Sequence, residues 1–219
     1  MRTIVVNEAF SLARVRPADQ QDFRQGMTIE QHSSGATAPR PTPTTDGLPR
    51  RFADFATLGE ALEYAAGGSR GLNFHDARGA LVRAYPYAEL REDALASARR
   101  LVASGIGPED RVALIAETGP EFAHLFFAVM FAGAWPVPLP LPTSFGGKES
   151  YIEQLRVQLA SCDPKMFVHP PELAEMALEA ARLAGTKGVD WSELAGRDAP
   201  EVPLPPADPD AVAYLQYSS

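Results

Sequence analysis

Residues 111–122 read RVALIAETGPEF, and this stretch decides the fold class. Five apolar residues, Val112 to Ala116, follow one another without alternation, which is typical of a strand covered on both faces in a parallel sheet. The next residues, Thr118 to Glu121, have the composition of a helix start: a small cap, a proline and an acid in the first turn. A buried strand followed at once by a helix predicts an α/β protein.

The alternation of strands and helices continues on both sides of this stretch. Upstream, the spacing predicts a helix over 55–65, short strands in GLNFHD and LVRAYPY, and a helix within YAELREDALASARRLVASG, with Gly105 as the residue just after it. Downstream, we expect a helix that is apolar all round and deep in the core, an edge strand in WPVPLPL, a helix over Ser150–Ser161, a strand in KMFVH, a helix over Pro171–Ala184 and a closing strand in AVAYLQY. This order predicts a mostly parallel sheet with helices on both faces.

Composition limits the classes of function. The 219 residues are 45% hydrophobic and carry a net charge of −8, which argues against nucleic acid or an anionic membrane as the main partner. The uncharged run from Leu125 to Leu141 is not predicted to span a membrane, because Gly133 and four prolines end any helix after about 13 residues. No targeting segment is visible, and we predict a cytoplasmic protein without a transmembrane segment.

The first fifty residues differ from the rest of the chain. Residues 33–49, SSGATAPRPTPTTDGLP, are almost devoid of apolar side chains. Such a composition cannot bury enough surface to offset the entropy of ordering. We therefore predict a disordered or weakly ordered leader over 1–50 and a folded α/β portion over 51–219.

Several residues belong to types that often form functional sites, but their sequence context gives little evidence for a site here. The single cysteine, Cys162, excludes an intrachain disulfide and is typical of a small core residue. The four histidines, His32, His75, His124 and His169, have no metal-ligand spacing, so no metal ligand is predicted. The run Ser144–Lys148 favours a flexible loop over a phosphate loop, since no clear strand precedes it and no Ser or Thr follows the lysine.

Two further groups on predicted helices have competing interpretations. The aromatic residues Phe122, Phe126, Phe127 and Phe131 could line a tunnel for an apolar ligand, but core packing is the better interpretation. The acids Glu89, Glu92 and Asp93 are best explained as a solvated helix face.

The last residues, AVAYLQYSS, run from a buried strand into two small hydroxyl residues, Ser218 and Ser219. Small residues let backbone N–H groups close around phosphate oxygens. Ligands of open α/β sheets bind beyond the carboxyl ends of the strands, so we expect these serines at that edge. An ordinary turn at the end of a strand would give the same residues.

The neighbouring sequence adds a resemblance. AYLQYSS resembles the opening of the phosphate-loop motif of adenylate-forming enzymes, the superfamily of acyl-CoA synthetases, peptide-synthetase adenylation domains and luciferases. Residues 87–139, from YAELRED to WPVPL, resemble the first two core segments of that superfamily. Within it, residues 55–79 and 136–168 and the stretch VAYLQYSS are most similar to fatty acyl-AMP ligases.

The resemblance implies an N-terminal fragment of such a ligase, the first subdomain of its N-terminal domain, truncated at the phosphate loop. The full-length enzyme would use ATP and Mg²⁺ to convert a fatty acid into an acyl-adenylate, and would pass the acyl group to the phosphopantetheine arm of an acyl carrier protein. Ser218 and Ser219 match the first positions of the phosphate loop and are the implied ATP contacts. No catalytic residue is assigned to this chain, and the fragment alone is predicted to be inactive.

Two alternatives remain open at this point. The chain could belong to a long-chain fatty acyl-CoA synthetase, which shares the first half-reaction. It could also be a noncatalytic module that binds an adenylate or a partner.

Overall fold

The computed structural model describes residues 2–6, 48–49, 51, 54–142 and 147–217, with the backbone alone for 2–6. The elements are β1 (Arg2–Val6), α1 (Leu58–Ala66), β2 (Gly71–His75), β3 (Leu81–Pro86), α2 (Tyr87–Ala103), β4 (Arg111–Ile115), α3 (Pro120–Phe131), β5 (Trp135–Leu139), α4 (Lys148–Cys162), β6 (Met166–His169), a 3-10 turn (Pro171–Leu173), α5 (Ala174–Ala184), β7 (Gly188–Asp190), α6 (Trp191–Ala195) and β8 (Val212–Tyr217). None of the helices in these residues is both long and apolar enough to cross a lipid bilayer.

The central sheet has four strands in the order β5-β4-β6-β7. All three pairings are parallel. The chain moves from β4 to β5 in one direction and then returns past β4 to β6, so its connections lie on opposite faces of the sheet. The predicted fold class is therefore confirmed. The sequence analysis missed β7, because a strand of three residues is too short to give a periodic signal.

Two apolar clusters cover the two faces of this sheet. On one face, Val112 and Leu114 of β4 pack with Leu125 and Val129 of α3. On the other face, Ala113 and Ile115 of the same strand pack with residues of α4 and α5, among them Leu155 and Ala180. Alternate residues of β4 thus enter separate clusters, which explains why its sequence is apolar without alternation.

Helix α3 is less deeply buried than predicted. Only Leu125, Ala128 and Val129 are fully buried among its residues. Phe122, Phe126 and Phe131 are partly buried and pack around the cluster that α3 shares with α2. The expectation of a fully enclosed helix was wrong because α3 lies in an outer layer, and its outward aromatic side chains are covered only in part.

Two prolines shape the edge strand β5. The N–H group of Trp135 donates to Asp110 O of the segment before β4, and Ala116 N donates to Leu139 O. Since N–H groups alternate along a strand, Pro136 and Pro138 direct their nitrogens away from β4 and remove no bond from that pairing. Strand β8 lies alongside β5 on this outer side. In the described residues, β8 forms its strand pairing with β1 rather than with β5.

Part of the predicted leader is a strand. Residues 2–6 form β1, which pairs in parallel with β8 from Arg2 opposite Val212 to Val6 opposite Tyr217. These five residues belong to the span that was predicted to be a disordered or weakly ordered leader. Residues 7–47, which include all but the last two residues of the Ser, Thr and Pro-rich stretch 33–49, lie outside the described residues.

We predict that Leu114→Ala costs about 2–5 kcal/mol in the free energy of unfolding, because Leu114 is 2% exposed at the centre of the sheet. Urea denaturation followed by circular dichroism measures this change. Leu183→Ala is the matched control, since Leu183 is 46% exposed on α5 and should change stability by less than about 0.5 kcal/mol. Equal effects of the two substitutions would contradict the assignment of β4 as the core strand.

Candidate functional site

The end of β8 is held by the hydroxyl group of Tyr217. This group donates a hydrogen bond of 2.7 Å to Gln158 O in the second half of α4. It also lies within hydrogen-bonding reach of Ser161 and Cys162 in the last turn of that helix. Burial raises the pKa of Tyr217, so the hydroxyl stays protonated and keeps its donor.

The last turn of α4 lies at the amino edge of the four-stranded sheet. Asp163 ends the helix in a left-handed conformation with φ of 43°. Arg111, the first residue of β4, donates to Asp163 O and to its carboxylate, both at 3.1 Å. Because Tyr217 contacts the same turn, β8 ends at the amino edge.

This placement corrects the expectation that the terminal strand ends with the others. Strands β4 and β6 end at the carboxyl edge, whereas Tyr217 lies at the opposite edge. Residues 196–211, between α6 and β8, contain no helix. They reach the amino edge before β8 starts, because Arg197 O accepts a hydrogen bond from Arg100 Nε near the end of α2, and Pro205 lies against Gly133 just before β5. Ser218 and Ser219 lie outside the described residues, directly after Tyr217.

The carboxyl edge carries a different feature, an acidic cleft of about 380 Å³. Its lining residues are Glu117, Gly119, Glu121, Pro171, Glu172, Trp191 and Ser192. Partial burial and then the charges of Glu172 and Glu121 raise the pKa of Glu117. Three neighbouring carboxylates repel a polyphosphate, so this cleft is poorly suited to ATP. The sequence analysis did not identify it, because its acids come from segments that are distant along the chain.

The remaining candidates have structural roles in the part of the chain that is described. Lys148 starts α4 and forms an ion pair with Glu175, while residues 143–146 lie outside the described ranges. Phe126 contacts Tyr214 of β8 at 5.6 Å between ring centroids, which favours packing as the role of the aromatic residues. No group of three or more His, Cys, Asp or Glu side chains in the described ranges could hold a metal ion.

The acids of α2 divide into two kinds. Glu92 is exposed, and Glu89 pairs with Arg83, as expected of a solvated helix face. Asp93 is also exposed, but its carboxylate accepts a 2.6 Å hydrogen bond from the hydroxyl group of Tyr85, which is itself buried. This bond fixes the end of the β2–β3 hairpin on α2.

The histidines are separated in the fold. His75 is exposed on β2, while His124 lies in α3 with Nδ1 at 3.0 Å from Pro120 O. His169 is buried at the end of β6, with Nδ1 at 2.9 Å from Pro170 O. His32 lies outside the described residues.

The family follows from the sequence between the hairpin and the last residue. The model of the family described as AMP-binding enzyme matches residues 73–219. The chain belongs to the AMP-binding enzymes. This match includes the whole four-stranded sheet and the strand that Tyr217 ends.

Two relatives of this chain are named as a synthetase and as a ligase. A Caulobacter vibrioides protein named acyl-CoA synthetase is 44% identical over 182 residues, which is 81% of this chain and 31% of that protein. A Mycobacterium tuberculosis protein named salicyl-AMP ligase / salicyl-S-ArCP synthetase is 32% identical over 142 residues, 60% of this chain and 25% of that protein.

Solved structures agree on the fold. A structure from work on the fatty acyl-adenylate ligases of E. coli and L. pneumophila matches with a TM-score of 0.71 and 36% identity, covering 76% of this chain and 30% of that one. The structure of McyG A-PCP complexed with phenylalanyl-adenylate matches with a TM-score of 0.64 at 24% identity, covering 74% and 26%. The chain therefore has the fold of the N-terminal portion of adenylate-forming enzymes and spans about a quarter to a third of the length of these relatives.

We predict that Cys162 is inert to thiol reagents in the folded AMP-binding domain. It is 6% exposed, and burial raises its pKa to about 11, so the thiolate is scarce at neutral pH. Tyr217→Ala should open the contact between β8 and α4 and speed the reaction of Cys162 with a disulfide reagent. Tyr217→Phe keeps the ring and should cost only the hydrogen bond, about 0.5–1.5 kcal/mol of stability. Rapid labelling of the unsubstituted folded chain would contradict this placement of β8.

We also predict a pH dependence of stability that originates at His124. Burial lowers the pKa of His124, while Asp93 and Glu121 act in the opposite direction. Between this lowered pKa and about 6.5, the unfolded chain binds more protons than the folded chain. The free energy of unfolding should therefore fall as the pH decreases through that window.

Urea denaturation between about pH 7.5 and pH 5 measures this slope. His124→Gln should flatten it, and His75→Gln, at an exposed position, is the matched control. An unchanged slope in His124→Gln would contradict the prediction.

Proposed function

We propose that this chain is the N-terminal part of a fatty acyl-AMP ligase. The observation that carries the proposal is the match at 36% identity and a TM-score of 0.71 to a structure from work on fatty acyl-adenylate ligases. The resemblance of residues 55–79 and 136–168 to the same class of ligase points in the same direction.

The proposed reaction has two steps. A carboxylate oxygen of the fatty acid attacks the α-phosphorus of ATP, and the bond to pyrophosphate breaks. The thiol of a phosphopantetheine arm on an acyl carrier protein then attacks the acyl carbon, AMP leaves, and the thiol proton passes to solvent or a base. The first step depends on holding two anions in line, so donors around the phosphates contribute most to catalysis.

Ser218 and Ser219 are the residues of this chain that we assign to ATP. They follow Tyr217 in the sequence, and Tyr217 lies at the amino edge of the sheet, where Arg111 and Lys165 balance Asp163 and Asp110. That edge lacks the excess of carboxylates found in the opposite cleft. Mg²⁺, when bound, would neutralise phosphate charge, but the described residues offer it no ligand set, so none is assigned here.

A second candidate is an acyl-CoA synthetase, which would use free CoA as the acceptor. The relative named acyl-CoA synthetase, at 44% identity, favours it. The name of the salicyl-AMP ligase / salicyl-S-ArCP synthetase favours a carrier protein instead. The choice of acceptor therefore requires the full-length enzyme.

We predict that the full-length enzyme makes acyl-AMP from ATP and a medium-chain or long-chain fatty acid. It should acylate a holo-carrier protein with a much higher kcat/KM than CoA. Fatty-acid-dependent exchange of pyrophosphate into ATP measures the first step, and thioester formation measures the second. Comparable kcat/KM values for the two acceptors would favour the synthetase, and absence of exchange would exclude both.

Serine variants of the full-length enzyme test the assigned ATP contacts. Ser218→Ala or Ser219→Ala should lower kcat/KM for ATP by about 10-fold to 100-fold, the cost of losing a hydrogen bond to a charged group. Ser150→Ala, at an exposed position on α4, is the matched control. The 219-residue chain alone should give no exchange, because it contributes at most two donors to the site.

A further inference from the structure

Strand β8 depends on its side chains for its attachment to the core. In the described residues it forms a two-stranded sheet with β1, and this sheet does not continue into the four-stranded one. A sheet of two strands is only marginally stable unless its side chains pack against other elements. The side-chain contacts of β8 therefore determine how firmly the chain is held at the point where Ser218 follows.

The end of β8 makes these contacts on one face. Leu215 is 7% exposed and packs in the cluster that α4 and α5 share. Gln216 is exposed, whereas Tyr217 is partly buried and packs against the same cluster as Leu215. This agrees with the alternation of side chains along a strand. Beyond Leu215, the attachment of β8 to α4 thus depends on the Tyr217 side chain.

The hydroxyl group of Tyr217 gives this attachment a defined position. It donates to Gln158 O at 2.7 Å, and this acceptor belongs to the main chain of α4. A tyrosine side chain has only two torsions, so a fixed hydroxyl group also restricts the Cα atom of Tyr217. The Cα atom of the next residue, Ser218, is one peptide unit away, about 3.8 Å. The hydrogen bond therefore restricts where the serines begin.

The helix that supplies the acceptor is itself fixed to the central sheet. Leu155 and Leu159 of α4 are buried against the sheet. At the end of the helix, Arg111 of β4 donates to Asp163 O and to the Asp163 carboxylate, both at 3.1 Å. The hydrogen bond of Tyr217 therefore refers the end of β8 to the core rather than to a mobile side chain.

We propose that Tyr217 is a positioning residue for ATP, whose hydrogen bond to Gln158 O holds Ser218 and Ser219 in place for the phosphates. The role rests on the proposed assignment of these serines to ATP, and it adds a residue that does not itself contact ATP. Donors contribute most when they are in place before the phosphates arrive. Loss of the hydroxyl group lowers the fraction of molecules with the serines in place, and the apparent affinity for ATP falls with that fraction.

Tyr217→Phe in the full-length protein tests the proposal, and Tyr151→Phe is the matched control. Tyr151 is a buried tyrosine near the start of α4, and its hydroxyl group donates to Pro140 O at 3.0 Å. Each substitution removes one hydrogen bond from a tyrosine to a main-chain carbonyl group, so the two variants should lose similar stability in urea denaturation. Only Tyr217→Phe should raise the Kd for ATP, by about threefold to tenfold.

Three measurements separate positioning from a general loss of stability. Calorimetric titration with ATP and Mg²⁺ gives the Kd without any fatty acid. Hydrogen exchange followed by mass spectrometry, without nucleotide, reports on the peptide that contains residues 212–219, which should exchange faster in Tyr217→Phe and not in Tyr151→Phe. Pyrophosphate exchange should show a higher KM for ATP in Tyr217→Phe and an unchanged KM for the fatty acid.

The outcomes distinguish this role from the ligase activity. The proposal is wrong if Tyr217→Phe raises the Kd for ATP, or the hydrogen exchange of residues 212–219, no more than Tyr151→Phe does. Absence of ATP binding by the unsubstituted protein would overturn both the role of Tyr217 and the assignment of the serines. ATP binding with the selective effect of Tyr217→Phe, but without fatty-acid-dependent exchange, would refute the ligase activity and support the positioning role.

Discussion

The structure depends on the burial of β4 from both sides. Val112 and Ala113 are fully buried, and Leu114 and Ile115 are nearly so. A strand whose two faces are both apolar requires a layer of helices above and below. The chain meets this requirement by sending α3 to one face and α4 to the other, and β5 and β6 then lie on either side of β4. The order of the sheet thus follows from one short segment.

The position of the candidate site follows from how β8 joins this layered core. The pairing of β4 with β5 leaves the prolines of β5 on the outer side, where β8 lies without continuing the central sheet. The hydroxyl group of Tyr217 then attaches the end of β8 to α4. Rules for open parallel sheets place ligands at the carboxyl edge, but in this chain that edge holds Glu117, Glu121 and Glu172. The segment that resembles the opening of a phosphate loop includes Tyr217, which lies at the opposite, amino edge.

Sequence patterns predicted the elements well but not their directions. The apolar run of β4, the proline at the start of α3 and the glycine after α2 are local signals, and each marks its element correctly. The direction of β8 depends on contacts between residues far apart in the chain, such as Tyr217 and Gln158, and no local pattern contains them. The acidic cleft was missed for the same reason. The partial exposure of α3 was also missed, because an apolar helix gives the same pattern whether one layer or two layers cover it.

The prolines of β5 also bear on how the chain folds as it leaves the ribosome. Residues 111–190 contain all four strands of the central sheet, so this sheet can form before Val212 has been synthesised. During that interval β5 is an open edge, and an open edge invites pairing with other nascent chains. Pro136 and Pro138 offer no hydrogen-bond donor on that side, so a foreign strand finds only acceptors there. The exposed edge of the nascent domain is therefore protected from aggregation until β8 has been synthesised.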